Sequence, residues 1–127
     1  MNTNILAGVI IVNLALLAYT IGIVAEQRSH RVSRLVLVFL SVGVVFDIVA
    51  TGFMIAGSGE DLFTPHGFLG FSALAGMLVE TSLAWRHRRT AGDAVVPASL
   101  HIYSRIAYVW WIVAYVTGVI LVRSSAA

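Results

Sequence analysis

The sequence predicts an all-α membrane protein, an antiparallel four-helix transmembrane bundle with N-out/C-out topology. Three observations carry that reading. The 127 residues are 59% hydrophobic and only 11% charged, where a soluble domain is about 45–50% apolar and about 25% charged. Four apolar runs divide the chain. The basic residues gather in alternate loops.

Each run holds about 20 residues, enough to cross a hydrocarbon core of ~30 Å at ~1.5 Å per residue. They are helices because lipid offers no partner to exposed backbone groups. The first covers about residues 4–25. It has no basic leading segment, exceeds a signal-peptide core in length and precedes no small-residue cleavage pattern, so it is expected to be retained. The second covers about 35–58, the third about 66–85 and the fourth about 102–122. All of 1–127 reads as a single membrane domain, with the lipid bilayer as its main partner.

The loops set the orientation. Residues 26–34 carry Arg28, Arg31 and Arg34, and residues 86–101 carry Arg86, Arg88 and Arg89. Between them, 59–65 carries Glu60 and Asp61 and no basic residue, and Arg123 alone follows the fourth run. This bias of six to one assigns 26–34 and 86–101 to the cytoplasm, in a multi-pass protein of the cell (cytoplasmic) membrane. Within the second of these loops, 90–99 contains Gly92, Asp93 and Pro97 and reads as irregular.

Several functions are excluded at once. The chain has no cysteine, so disulfides, thiolate metal sites and cysteine nucleophiles are ruled out. The net charge of +2 sits in short loops, which argues topology and not nucleic acid. No phosphate-binding glycine loop, zinc-protease motif or hydrolase triad is present. No catalytic residue and no metal site is assigned.

Function is then sought in polar groups inside the spans, which are expensive in lipid. Asp47 lies near the middle of the second run, at a cost of roughly 2.5–3.5 kcal/mol for a carboxylate there. Gly43 and Thr51 share its face. Asn13, Trp110, Trp111 and Tyr115 are the expected hydrogen-bond partners. Asp47 reads either as a proton or cation site or as a hydrogen-bonded tie between helices. Glu80 and Arg105 match in depth on neighbouring helices and are expected to form an ion pair. His101, Arg105, Tyr108, Ile112 and Tyr115 follow helical spacing along one face of the fourth run. That stripe reads either as an aromatic packing seam or as the wall of a quinone-like site. His66 and His101 open the third and fourth helices and raise haem b, whose iron takes imidazole ligands. They stand at opposite membrane faces, ~30 Å apart, so one chain cannot bring both to one iron.

These residues resemble a known family, the small four-span bacterial membrane proteins called HsmA. The likeness rests on Tyr19-Thr20-Ile21-Gly22 with Glu26, then Phe46-Asp47 with Thr51-Gly52. It continues in Phe63, His66-Gly67 and Gly70, in Ala84-Trp85, and in His101, Ser104, Trp111, Tyr115 and Gly118. It spans about residues 14–121 and implies the four-helix fold and a bacterial inner-membrane location, without an established activity. The family tends to carry a histidine where this chain has Glu80, so the bis-histidine haem or metal role that the resemblance implies lacks one imidazole here.

Three function classes follow. The first is a small membrane protein acting through intramembrane polar groups or as partner of a larger membrane complex or homo-oligomer. The second is a redox component binding haem b or quinone. The third is a small proton-coupled transporter.

Overall fold

The computed structural model describes residues 3–58, 65–92 and 94–126. Among them the chain forms four helices: α1 (Thr3–Ser29), α2 (Arg34–Ser58), α3 (Pro65–Ala91) and α4 (Ala98–Ala126). Each contains a stretch long and apolar enough to cross a membrane: Leu6–Ser29, Arg34–Ile55, Gly67–Ala91 and Ala98–Ile120. The loop 59–64, with Glu60 and Asp61, lies outside the described residues. Leu17, Val45, Phe68 and Ile106 are exposed, as expected of side chains that face lipid and not water.

The helices are longer than their apolar runs. α1 continues through Glu26 to Ser29, and α3 continues through Arg86, Arg88 and Arg89 to Ala91. The expected loops 26–34 and 86–101 shrink accordingly. Arginine is a good helix former whose aliphatic stem lies along apolar surface while its head reaches the interface, so charge does not end a helix. Backbone geometry ends it. His30 takes a positive φ of 57° and its N–H bonds the Glu26 carbonyl at 2.7 Å. Gly92 takes φ 60° and bonds the Arg88 carbonyl at 3.0 Å. Both are left-handed terminators, ordinary for glycine and uncommon for histidine. Ser33 caps α2 by accepting the Val36 N–H on its hydroxyl at 3.3 Å, and Pro65 opens α3 where a missing N–H costs nothing.

The two short basic loops are tied together. Arg31 and Val95 form an isolated β-bridge, and the Val96 N–H donates to the His30 carbonyl at 2.8 Å. From the end of α3, the Arg88 guanidinium donates to the Val32 carbonyl at 3.2 Å.

The helices form a ring in chain order. α1 packs most extensively on α2, α3 packs on α4, and α2–α3 and α1–α4 close the circuit more loosely. The core runs through Tyr19, Val36, Leu40, Met77 and Trp111, all buried. α3 carries the small residues Ser72, Ala73 and Gly76. Ala73 is buried, but around Gly76 the nearest atoms stand 3.9–4.0 Å from a notional Cβ. The close approach is between α1 and α2. Gly8 faces Ala50 and Met54, Gly22 faces Leu40, and the Tyr19 ring covers Gly43 so closely that a Cβ there would meet Cδ1 at 2.5 Å. Tight backbone approach over small residues is how helices associate where hydrophobic driving force is absent.

Gly43→Ala therefore forces the Tyr19 ring to move within a packed core. It is expected to destabilise the protein by about 1–3 kcal/mol, measured by unfolding in mixed micelles. Gly52→Ala, with open space at its Cβ, is the control and is expected to be neutral or slightly stabilising.

Candidate functional site: a carboxylate at the floor of an apolar cavity

Asp47 is 5% exposed. Its Oδ2 accepts two hydrogen bonds, from the Tyr19 hydroxyl at 3.0 Å and from the Trp111 indole N–H at 2.8 Å. α1, α2 and α4 thus meet on one oxygen atom. The Tyr19 and Trp111 rings stand edge to face at 5.0 Å, a favourable aromatic geometry. The Thr51 hydroxyl, one turn on, donates to the Asp47 backbone carbonyl at 2.8 Å. Of the expected partners only Trp111 bonds the carboxylate. Asn13 instead accepts the Tyr115 hydroxyl and donates to the Val9 carbonyl at 2.7 Å. Trp110 donates to Ser72 on α3 at 2.8 Å. As a partner of Asp47, Tyr19 was missed because its rotation about α1 is set by the Gly43 contact, which spacing within α1 does not reveal.

Beside Asp47 a cavity of about 390 Å³ lies in the half of the bundle away from the basic loops. Asn13, Thr51, Gly70, Trp111, Tyr115 and Gly118 are among its lining residues, and Val9, Val12, Met54 and Val119 supply much of its apolar wall. Among the described residues no arginine or histidine lines it. Trp111 and Tyr115 stack at 5.8 Å with an interplanar angle of 15° along one side.

The polar members of the α4 stripe, His101, Arg105, Tyr108 and Tyr115, find partners on α1. His101 Nδ1 stands 3.1 Å from Glu26 Oε1. Arg105 donates through Nε and a terminal nitrogen to Gln27 Oε1, at 3.2 and 3.1 Å. Tyr108 and Thr20 share a hydrogen bond of 2.7 Å, and Tyr115 meets Asn13. Gln27 also donates to Glu26 Oε2 at 2.7 Å and to the His101 carbonyl at 3.0 Å. The α1–α4 seam is held by side-chain hydrogen bonds along its length.

The expected Glu80–Arg105 ion pair is not formed. Glu80 is 1% exposed and its Oε1 accepts the Ser104 hydroxyl at 2.6 Å, while Oε2 has no partner. Successive residues on a helix point ~100° apart. With Ser104 turned toward α3, Arg105 is turned toward α1 and reaches Gln27. The sequence reading names Glu26 only through the family resemblance and misses its place inside the bundle, since it stands at the edge of an arginine-rich loop. It is 1% exposed and lies within electrostatic reach of Glu80. Tyr19 and Glu26 are seven residues apart on α1, as Ser104 and Trp111 are on α4. Two polar layers are therefore stacked ~10 Å apart. Buried Ile23, Leu40 and Met77 belong to the apolar core between these positions.

Among the described histidines, the one pair that meets is not placed to share a haem iron. The His66 side chain lies outside the described residues. His101 stacks on His30 with ring centroids 4.3 Å apart and 21° between planes. Two imidazoles that ligate one iron must aim nitrogens at it from opposite sides, and these two present faces to each other. His87 bonds the Ala94 carbonyl at 2.9 Å. Among the described residues no three His, Asp or Glu side chains are grouped to hold a metal ion.

Comparison with known proteins brings no likeness: no family profile, curated protein or solved structure matches this chain.

A double-mutant cycle separates the observed pairing from the expected one. Coupling between Glu80 and Arg105 is expected to be below about 0.5 kcal/mol, as for residues that share no contact. Coupling between Tyr19 and Asp47, measured with Tyr19→Phe and Asp47→Asn, is expected at about 0.5–1.5 kcal/mol.

Proposed function

We propose that this small membrane protein binds a small molecule within the membrane, through the cavity whose floor is Asp47. The single observation that supports this most is a buried carboxylate opening onto an apolar space of about 390 Å³. That volume lies within the ~300–1,000 Å³ of small-molecule sites, which are mostly apolar with a few convergent polar groups. A purely structural tie between helices accounts for Tyr19 and Trp111, but it gives no reason for the adjoining space.

The proposal includes the topology. Contacts run in opposite order along neighbouring helices: Gly8 with Met54 and Gly22 with Leu40, then Glu80 with Ser104 and Ser72 with Trp110. This supports an antiparallel up-down-up-down bundle. The arginine bias supports cytoplasmic basic loops, both termini outside, and a cavity open to the outer half of a bacterial cytoplasmic membrane. Kinship with the HsmA proteins is part of the same reading and rests on the order of the shared motifs.

Two measurements test it. The absence of cysteine makes single-cysteine labelling clean. Ser29→Cys and Ala94→Cys are expected to resist a membrane-impermeant maleimide in intact cells, while Gly59→Cys reacts; the reverse pattern would invert the bundle. In nanodiscs, a panel of amines, neutral aromatics, acids and quinones is expected to include at least one class that raises the melting temperature by several degrees. Saturating ligand at about 100 times Kd contributes about 2.7 kcal/mol. Gly70→Leu, which fills the cavity from a position with open space at its Cβ, is expected to abolish the effect. If no class stabilises the protein, the ligand-binding reading fails.

A further inference from the structure

We infer that the molecule bound beside Asp47 is a small organic cation bearing N–H donors, a protonated amine on an apolar or aromatic body. This rests on the ligand-binding reading above and names the chemistry of its guest.

Among the described residues the hydrogen-bond inventory of the cavity is lopsided. Its donors are already committed. The Tyr19 hydroxyl and Trp111 N–H both end on Asp47 Oδ2. The Thr51 hydroxyl goes to the Asp47 carbonyl, the Tyr115 hydroxyl to Asn13 Oδ1, and the Asn13 amide to the Val9 carbonyl. One N–H of Asn13 is left over. The acceptors are in the opposite state, because Asp47 Oδ1 receives no hydrogen bond from any described residue. With Asp47 ionised, such a site has a spare anionic acceptor and, among the described residues, almost no spare donor, so it discriminates by chemistry. Quinones, carboxylates and phosphates all need donors and find one amide hydrogen. An ammonium supplies donors and charge together, forming the stronger, charge-assisted kind of hydrogen bond.

Charge and shape agree with the inventory. Among the described residues no cation lines the cavity, so none of them competes with a guest cation for the carboxylate. The stacked Trp111 and Tyr115 rings form one wall. Aromatic faces attract cations, indole most strongly. Val9, Val12, Met54 and Val119 provide the apolar remainder, which fits a hydrocarbon body and offers a bare metal ion no oxygen shell.

The test uses the full chain in nanodiscs, with empty nanodiscs as baseline, and titration calorimetry as the readout. Three probes share one body: 2-phenylethylamine, its uncharged counterpart 2-phenylethanol, and 3-phenylpropanoate. The amine is expected to bind saturably and at least about tenfold more tightly than the alcohol, with no binding of the carboxylate. Asp47→Asn is expected to reduce that preference about tenfold or more, and Gly70→Leu to remove all binding while the helical spectrum is retained. Should Asp47→Asn fail to fold, the amine-to-alcohol ratio on the unmodified protein decides alone. Equal affinity for amine and alcohol, or tighter binding of the carboxylate, overturns the cation assignment. Binding of another class that Gly70→Leu blocks keeps the cavity reading and discards the cation. Failure of every class to bind removes both.

Discussion

A lipid core contains no hydrogen-bond partner, and that single constraint organises the polar groups of this protein. Asp47 is its clearest expression. A carboxylate at that depth must be satisfied by the other helices, and the atoms that satisfy it come from α1 and α4. Two helices that are not sequence neighbours of each other are thereby held to a third. The glycine at position 43 belongs to the same arrangement: only with hydrogen there does the Tyr19 ring lie flat enough on α2 for its hydroxyl to reach the carboxylate.

The bundle joins its helices in two different ways. α1 and α2 approach through small residues, where backbone proximity supplies dispersion contacts in place of a hydrophobic driving force. α1 and α4 are joined mainly by a ladder of side chains reaching across the gap: His101, Arg105, Tyr108 and Tyr115 from one side, and Glu26, Gln27, Thr20 and Asn13 from the other. A seam of reaching side chains leaves room between helices where one of glycines does not. The cavity opens beside the far end of that ladder, at Asn13 and Tyr115.

The four spans were legible because length and apolarity are properties of the chain in one dimension. Depth was legible too: Glu80 and the N-terminal end of α4 do stand level. Rotation about the helix axis was not. A single residue of offset, from Arg105 to Ser104, turns the partner by ~100° and replaces an ion pair with a hydroxyl hydrogen bond. The stripe on α4 could be read because its members repeat along one helix, but the identity of its partners on α1 depends on how two separate helices are phased. Glu26 was hidden for a related reason. A glutamate next to Arg28 reads as loop, and only the continuation of α1 by another turn carries it inside.

The bridge between the two basic loops has a mechanical consequence. Arg31, Val95 and Val96 join the α1–α2 connection to the α3–α4 connection, so all four helices are clasped at one end. Such a bundle behaves as a set of levers with a common fulcrum. A tilt of about 5° about the clasp displaces the opposite ends by ~2.6 Å across ~30 Å of bilayer. Changes in lipid thickness or lateral pressure are thus magnified where the cavity lies and suppressed where the arginines are.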